Sequence, residues 1–89
     1  MKGIITVVGE DHVGIIAGIC TLLAESNVNV LDISQSITGG YFHMMMVVDM
    51  EQSDEVFHTL DMKLTECGKQ LGVQVKLQSD TIFRSMHRI

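Results

Sequence analysis

The residues best suited to chemistry stand between the first apolar run and the first helical stripe. They read Gly9-Glu10-Asp11-His12-Val13-Gly14. Amides at a helix start point outward without partners and can hold a carboxylate. Glu10 and Asp11 would repel a phosphate dianion, but they can accept from an ammonium group. That combination suits a zwitterion better than a nucleotide. Asn29, at the start of the second strand, offers both a donor and an acceptor. The plainer reading is that Gly14 only allows close helix-sheet packing and that Asn29 is an edge-strand polar residue. His12, His43, Asp11 and Asp49 match no compact metal-ligand motif, so no metal site is expected. Cys20 and Cys67 fit no metal or redox spacing, and both fall on apolar helical stripes as small buried hydrophobes.

Periodicity supplies the elements that hold these residues. Ile4–Val8 is a β-branched run that reads as strand one and ends at Gly9. Ile15, Ile16, Ile19, Cys20, Leu22 and Leu23 recur at helical spacing, which predicts a helix over about 13–26 with Asp11 as its N-cap. Ser26-Asn27 breaks it. A second strand starts at Val28 and Val30. Its alternation fails at Leu31-Asp32-Ile33, where a bulge or bend is expected, and resumes through Thr38. Gly39-Gly40 signals a hairpin. Strand three covers Tyr41–Met50, with Phe42, Met44, Met46, Val48 and Met50 on one face. Ser53 caps a second helix that runs to about Leu71, with Gly72 at its C-terminal cap. Val73, Val75 and Leu77 alternate with polar residues in strand four. Ile82, Phe83 and Met86 predict a short C-terminal helix.

The order is β-α-β-β-α-β. Right-handed crossovers and a tight central hairpin leave one simple solution: an α+β, ferredoxin-like sandwich. It has a four-stranded antiparallel sheet in the order 4-1-3-2, with both helices on one face. Eighty-nine residues make a single domain, 1–89. The other sheet face presents Met45, Val47, Ile4 and Val8. An exposed apolar strip of that kind needs cover, from the C-terminal tail or from a second subunit.

Composition excludes several classes. The chain is 46% hydrophobic and has a net charge of −5, so disorder, nucleic acid and an anionic membrane surface are all disfavoured. No run is long enough to span a membrane, no secretory signal opens the chain, and the thiols point to a reducing cytoplasmic setting. This fold hosts many functions, so the first loop has to discriminate among them. It has no Cys-x-x-Cys for a metal carrier and no arginine for a phosphatase-like grip. Strand one lacks aromatics for stacking RNA bases. No Gly-x-Ser-x-Gly or phosphate-binding glycine loop supports catalysis.

Taken together, Asp11-His12-Val13-Gly14 followed by the apolar opening of helix one, and Asn27-Val28-Asn29-Val30 entering strand two, resemble the ACT domain. This is a small regulatory module of amino-acid metabolism. The resemblance covers essentially the whole chain. It is strongest to uncharacterised bacterial and archaeal proteins made of one such domain. More distantly, the chain is similar to the ACT domains of the glycine cleavage regulator and of formyltetrahydrofolate deformylase. Val13 stands where many amino-acid-binding members have proline. The resemblance implies an amino-acid ligand held by Asp11, His12, Val13, Gly14 and Ile15 together with Asn29 of an adjacent domain. It also implies a homodimer, a regulated protein partner and no cofactor. Two other readings stay open: a ligand-independent interaction adaptor with a vestigial site and, more remotely, a small enzyme.

Overall fold

The computed structural model describes residues 2–51, 53 and 57–80. The elements are β1 (Lys2–Glu10), α1 (Ile15–Glu25), β2 (Asn29–Thr38), β3 (Tyr41–Asp49), α2 (Phe57–Leu71) and β4 (Val73–Ser79). The four strands form one antiparallel sheet in the order β2-β3-β1-β4, the arrangement expected from the element order. β1 is longer than its apolar run, because Lys2 still pairs with Asp49 and Glu10 with Tyr41.

The core lies between the sheet and the helices. Ile5 and Val7 of β1 and Phe42, Met44, Met46 and Val48 of β3 meet Ile15, Ile19 and Leu23 of α1 and Leu60 and Leu64 of α2. Alternate residues of β3 and β4 and every third or fourth helix residue are buried, which is the signature of two amphipathic layers. α1 ends in a Schellman turn. Asn27 is left-handed at φ 61°, its N–H donates to the Ala24 carbonyl at 3.1 Å, and the Val28 N–H donates to Leu23 at 2.9 Å. The β2–β3 hairpin turns through Gly39 and Gly40, both at positive φ, as a two-residue loop between twisted strands requires.

The expected bulge in β2 is present. Val30 pairs with Val48 and Asp32 with Val47, so Leu31 is the extra residue. Its effect is to sort the strand. Asn29, Asp32, Ser34, Ser36 and Thr38 all lie opposite odd-numbered β3 residues, on the face away from the helices. Val30, Ile33, Gln35 and Ile37 lie opposite the buried even-numbered ones.

On the face away from the helices, Met45 and Val47 are half-buried and Val8 is 46% exposed. Ile4 lies on that same face, paired with Val47 and Gln78, and yet is only 4% exposed. The expected cap at Ser53 involves residues 54–56 and the expected C-terminal helix involves Ile82, Phe83 and Met86. Both lie outside the described residues.

Candidate functional site

The first loop begins where β1 leaves the sheet. The Asp11 N–H donates to the Gly40 carbonyl at 3.0 Å, which fixes the loop against the β2–β3 hairpin. The His12 ring reaches the other way. Its Nε2 bonds the Leu71 carbonyl at the end of α2, and its Nδ1 lies 3.1 Å from the Val13 carbonyl. The Val13 side chain is 99% exposed.

Gly14 is the N-cap of α1, at φ 100° and ψ −5°, and its carbonyl accepts from Gly18 N–H at 2.9 Å. Among the described residues, a Cβ built there would meet nothing within 4 Å. The glycine is therefore required by its left-handed backbone and not by close packing of helix on sheet. The first turn of α1 carries no acidic residue, so no carboxylate of its own competes for its amides. Ile15 is buried at 2% exposure. It anchors the helix in the core, so its backbone N–H is what remains to face a ligand.

This geometry corrects two expectations. Helix α1 starts at Ile15, two residues later than periodicity predicts, and Asp11 does not cap it. The left-handed Gly14 occupies the cap position, and among the described residues no side chain caps the first turn. The reason lies in the backbone path. A left-handed residue three positions after Asp11 turns the chain before the helix begins, so the Asp11 carboxylate has no orphan amide to meet.

Asn29 lies at the far end of the molecule from this loop. It pairs with Asp49, which pairs with Lys2, whereas the loop follows Glu10. Eight residue steps of β1 separate the two ends, about 26 Å at the usual strand rise. Asn29 is exposed and borders a shallow depression of about 240 Å³ with Ala24, Asn27 and Val28. Within one chain the expected ligand residues therefore form two groups, Asp11–Ile15 and Asn29.

Other reactive groups are packing residues. The Cys67 thiol donates weakly to the Gly18 carbonyl at 3.9 Å, and burial pushes its pKa up. Among the described residues no group of three or more His, Cys, Asp and Glu is placed to hold a metal ion. Among them, too, no helix is long and apolar enough to cross a membrane. The contact that sequence reasoning misses is His12 to Leu71, because no periodicity links residues 59 positions apart.

A ferredoxin-like sandwich whose first helix starts at a left-handed glycine turn defines a class of small α+β domains. Comparison with known proteins narrows that class. The model of the ACT domain matches residues 3–78. The chain is 53% identical to the UPF0237 protein of Bifidobacterium longum over 88 residues, covering 99% of this chain and 98% of that one. The solved ACT domain protein from Streptococcus pneumoniae superimposes with a TM-score of 0.83 at 42% identity, covering 93% of each chain. A formyltetrahydrofolate deformylase from Pseudomonas putida shares the fold at a TM-score of 0.76 and 17% identity, over 89% of this chain and 29% of that one. The chain belongs to the ACT domain family, a family of regulatory modules, and it is similar to UPF0237 members along their length.

Proposed function

We propose that this protein is a non-enzymatic cytoplasmic regulatory module. In this reading a small molecule such as an amino acid binds between two copies of the chain, and the arrangement of the pair is read by a partner protein. The ligand carboxylate faces the amides behind Gly14, Asp11 accepts from the ammonium group, and Asn29 comes from the second copy.

One observation carries this reading: the two halves of the site stand at opposite ends of the sheet, and one of them, Asn29, opens the exposed edge strand β2. β2 is exposed along nearly its whole length. Antiparallel strands pair end to end. A two-fold pairing of β2 edges therefore brings Asn29 of one copy to the Thr38 end of the other. Thr38 pairs with Tyr41, which pairs with Glu10, the residue before the first loop. Exposed Leu31, Ile33 and Ile37 supply apolar contact along the same edge. The ligand can shift the pair only by its differential affinity for the two arrangements.

The test is a thermal-shift screen of the twenty amino acids, because a ligand selective for the folded pair raises Tm. Calorimetry of the best ligand follows, on wild type and on Asn29→Ala. Loss of one polar partner costs roughly 1–3 kcal/mol, which is about 5- to 150-fold in affinity. Fold and dimer should survive, since no core volume is removed. If neither protein binds any amino acid at millimolar concentration while the pair persists, the ligand-independent adaptor is the correct reading.

A further inference from the structure

Ile4 and Val8 are matched positions. Both are β-branched, both lie on the sheet face away from the helices, and they stand third from the two ends of β1, an inner strand. Ile4 has Val47 and Gln78 beside it across the sheet, and Val8 has the larger His43 with Gln74. In-plane neighbours should therefore shield Val8 at least as well as Ile4. Ile4 is nevertheless 4% exposed and Val8 46%. The adjacent strands repeat the pattern. On β3, Tyr41 and His43 are exposed, whereas Met45, Val47 and Asp49 are half-buried. On β4, Gln74 and Lys76 are exposed and Gln78 is half-buried. One half of this face is thus shielded within a single chain, although α1 and α2 both pack on the other face.

The shielded half is the end at which β4 stops. Ser79 pairs with Gly3, next to Ile4, and residues 81–89 follow Asp80, outside the described residues. Their sequence suits the place. Helical spacing puts Ile82, Phe83, Met86 and Ile89 on one side. Nine residues of helix reach about 13 Å, and crossing from β4 over β1 to β3 takes two strand spacings, about 10 Å. Charge agrees. Arg84 and Arg88 are the only arginines and 81–89 holds no acid, whereas the residues before it hold four lysines against eleven acids. Asp32 and Asp49 bring two of those acids to the far side of this face.

We propose that residues 81–89 dock as an amphipathic segment across the Ile4, Met45 and Val47 half of the sheet face. The docked segment withholds that apolar strip from any other chain. The β2 edge and the Val8 end of the face are then the surfaces left open to a partner. This inference goes beyond the ligand reading and does not depend on it.

Nuclear Overhauser spectra of the full chain test the contact directly. The Ile4 and Val47 methyl groups should show cross-peaks to the Phe83 ring. Mixing isotope-labelled with unlabelled protein separates contacts within one chain from contacts between copies. Phe83→Ser should lower Tm by about 6–12 °C, as loss of a half-buried aromatic does in a domain of this size. It should also move the Ile4 and Val47 methyl signals and leave those of Val8 in place. Phe83→Leu should keep most of the wild-type Tm. Met62→Ser, at an exposed site on α2, should change Tm by no more than about 2–4 °C. The spectra of wild type decide the matter even if Phe83→Ser does not fold. Cross-peaks found only between copies give the face to a second copy and overturn the proposal. So do absent cross-peaks, or a Phe83→Ser variant that melts no lower than Met62→Ser. None of these results touches the Asn29→Ala test of ligand binding.

Discussion

β4 and β2 close the two sides of one sheet, and the molecule treats them differently. Val73, Val75 and Leu77 of β4 are buried, at 3–7% exposure. Helix α2 reaches that edge: the Asp61 Oδ1 accepts the Leu77 N–H at 3.3 Å. At Gly68 the contact with β4 is so close that a Cβ would stand 2.8 Å from the Val73 carbonyl oxygen. Ile33 and Ile37 of β2 lie on the same sheet face and are 42% and 59% exposed. The difference does not lie in the strands' apolar alternation. It lies in where the second helix sits. A covered edge has its backbone groups satisfied and its side chains spent, whereas an uncovered one keeps both for another chain.

The largest expected effect breaks the covered edge. Gly68→Val drives a branched side chain into the Val73 carbonyl and Val75 Cγ2, each 2.8 Å from the new Cβ. Such overpacking should cost about 3 kcal/mol. Urea unfolding measures it, and a loss below about 1 kcal/mol would mean that α2 is not held against β4 in solution. The next effect sharpens the other side. Ile37→Lys should leave monomer stability within about 0.5 kcal/mol, because the residue is exposed. It should still weaken self-association by at least about tenfold, or 1.4 kcal/mol. Sedimentation velocity reads this, with Lys76→Glu on the opposite face as the control, and equal effects would move the interface away from β2. The smallest effect is Asp61→Ala, which uncaps the Leu77 N–H and should cost about 1 kcal/mol. Hydrogen exchange at the Leu77 amide should accelerate, and an unchanged rate would show that the carboxylate does not hold that edge.

The elements and their order are legible in the residues, because burial on two layers imposes periods of 2 and about 3.6 that Ile15–Leu23 and Phe42–Met50 display directly. The bulge is legible too, since Leu31-Asp32-Ile33 interrupts the alternation. Parity shows which face Ile33 and Ile37 point to, but it cannot show that neither α1 nor α2 buries them. The same limit applies to Ile4, whose face is predictable and whose 4% exposure is not. In the candidate site, Asp11 to Ile15 are neighbours in the chain, so their proximity is given. Asp11 and Gly14 are both common markers of a helix start, and only the backbone path selects between them. The distance between Asn29 and the loop depends on strand register, and the His12–Leu71 contact on tertiary packing. Neither leaves a local trace.

The extra residue in β2 carries a consequence for heredity. Asn29 shares its side of the sheet with Asp32, Ser34, Ser36 and Thr38 only because Leu31 interrupts the pairing. A lineage that lost the Leu31 codon would keep Asn29 opposite Asp49 and Asp32 opposite Val47, now two positions apart in a regular strand, and so on the side they already share. A lineage that kept the residue but paired it regularly would instead turn Asn29 to the side that carries Ile33 and Ile37, since strand residues alternate strictly between faces. What must be inherited here is therefore parity: a relative that lacks one residue before Asp32 still presents its asparagine to the same side, whereas one that straightens the bulge does not.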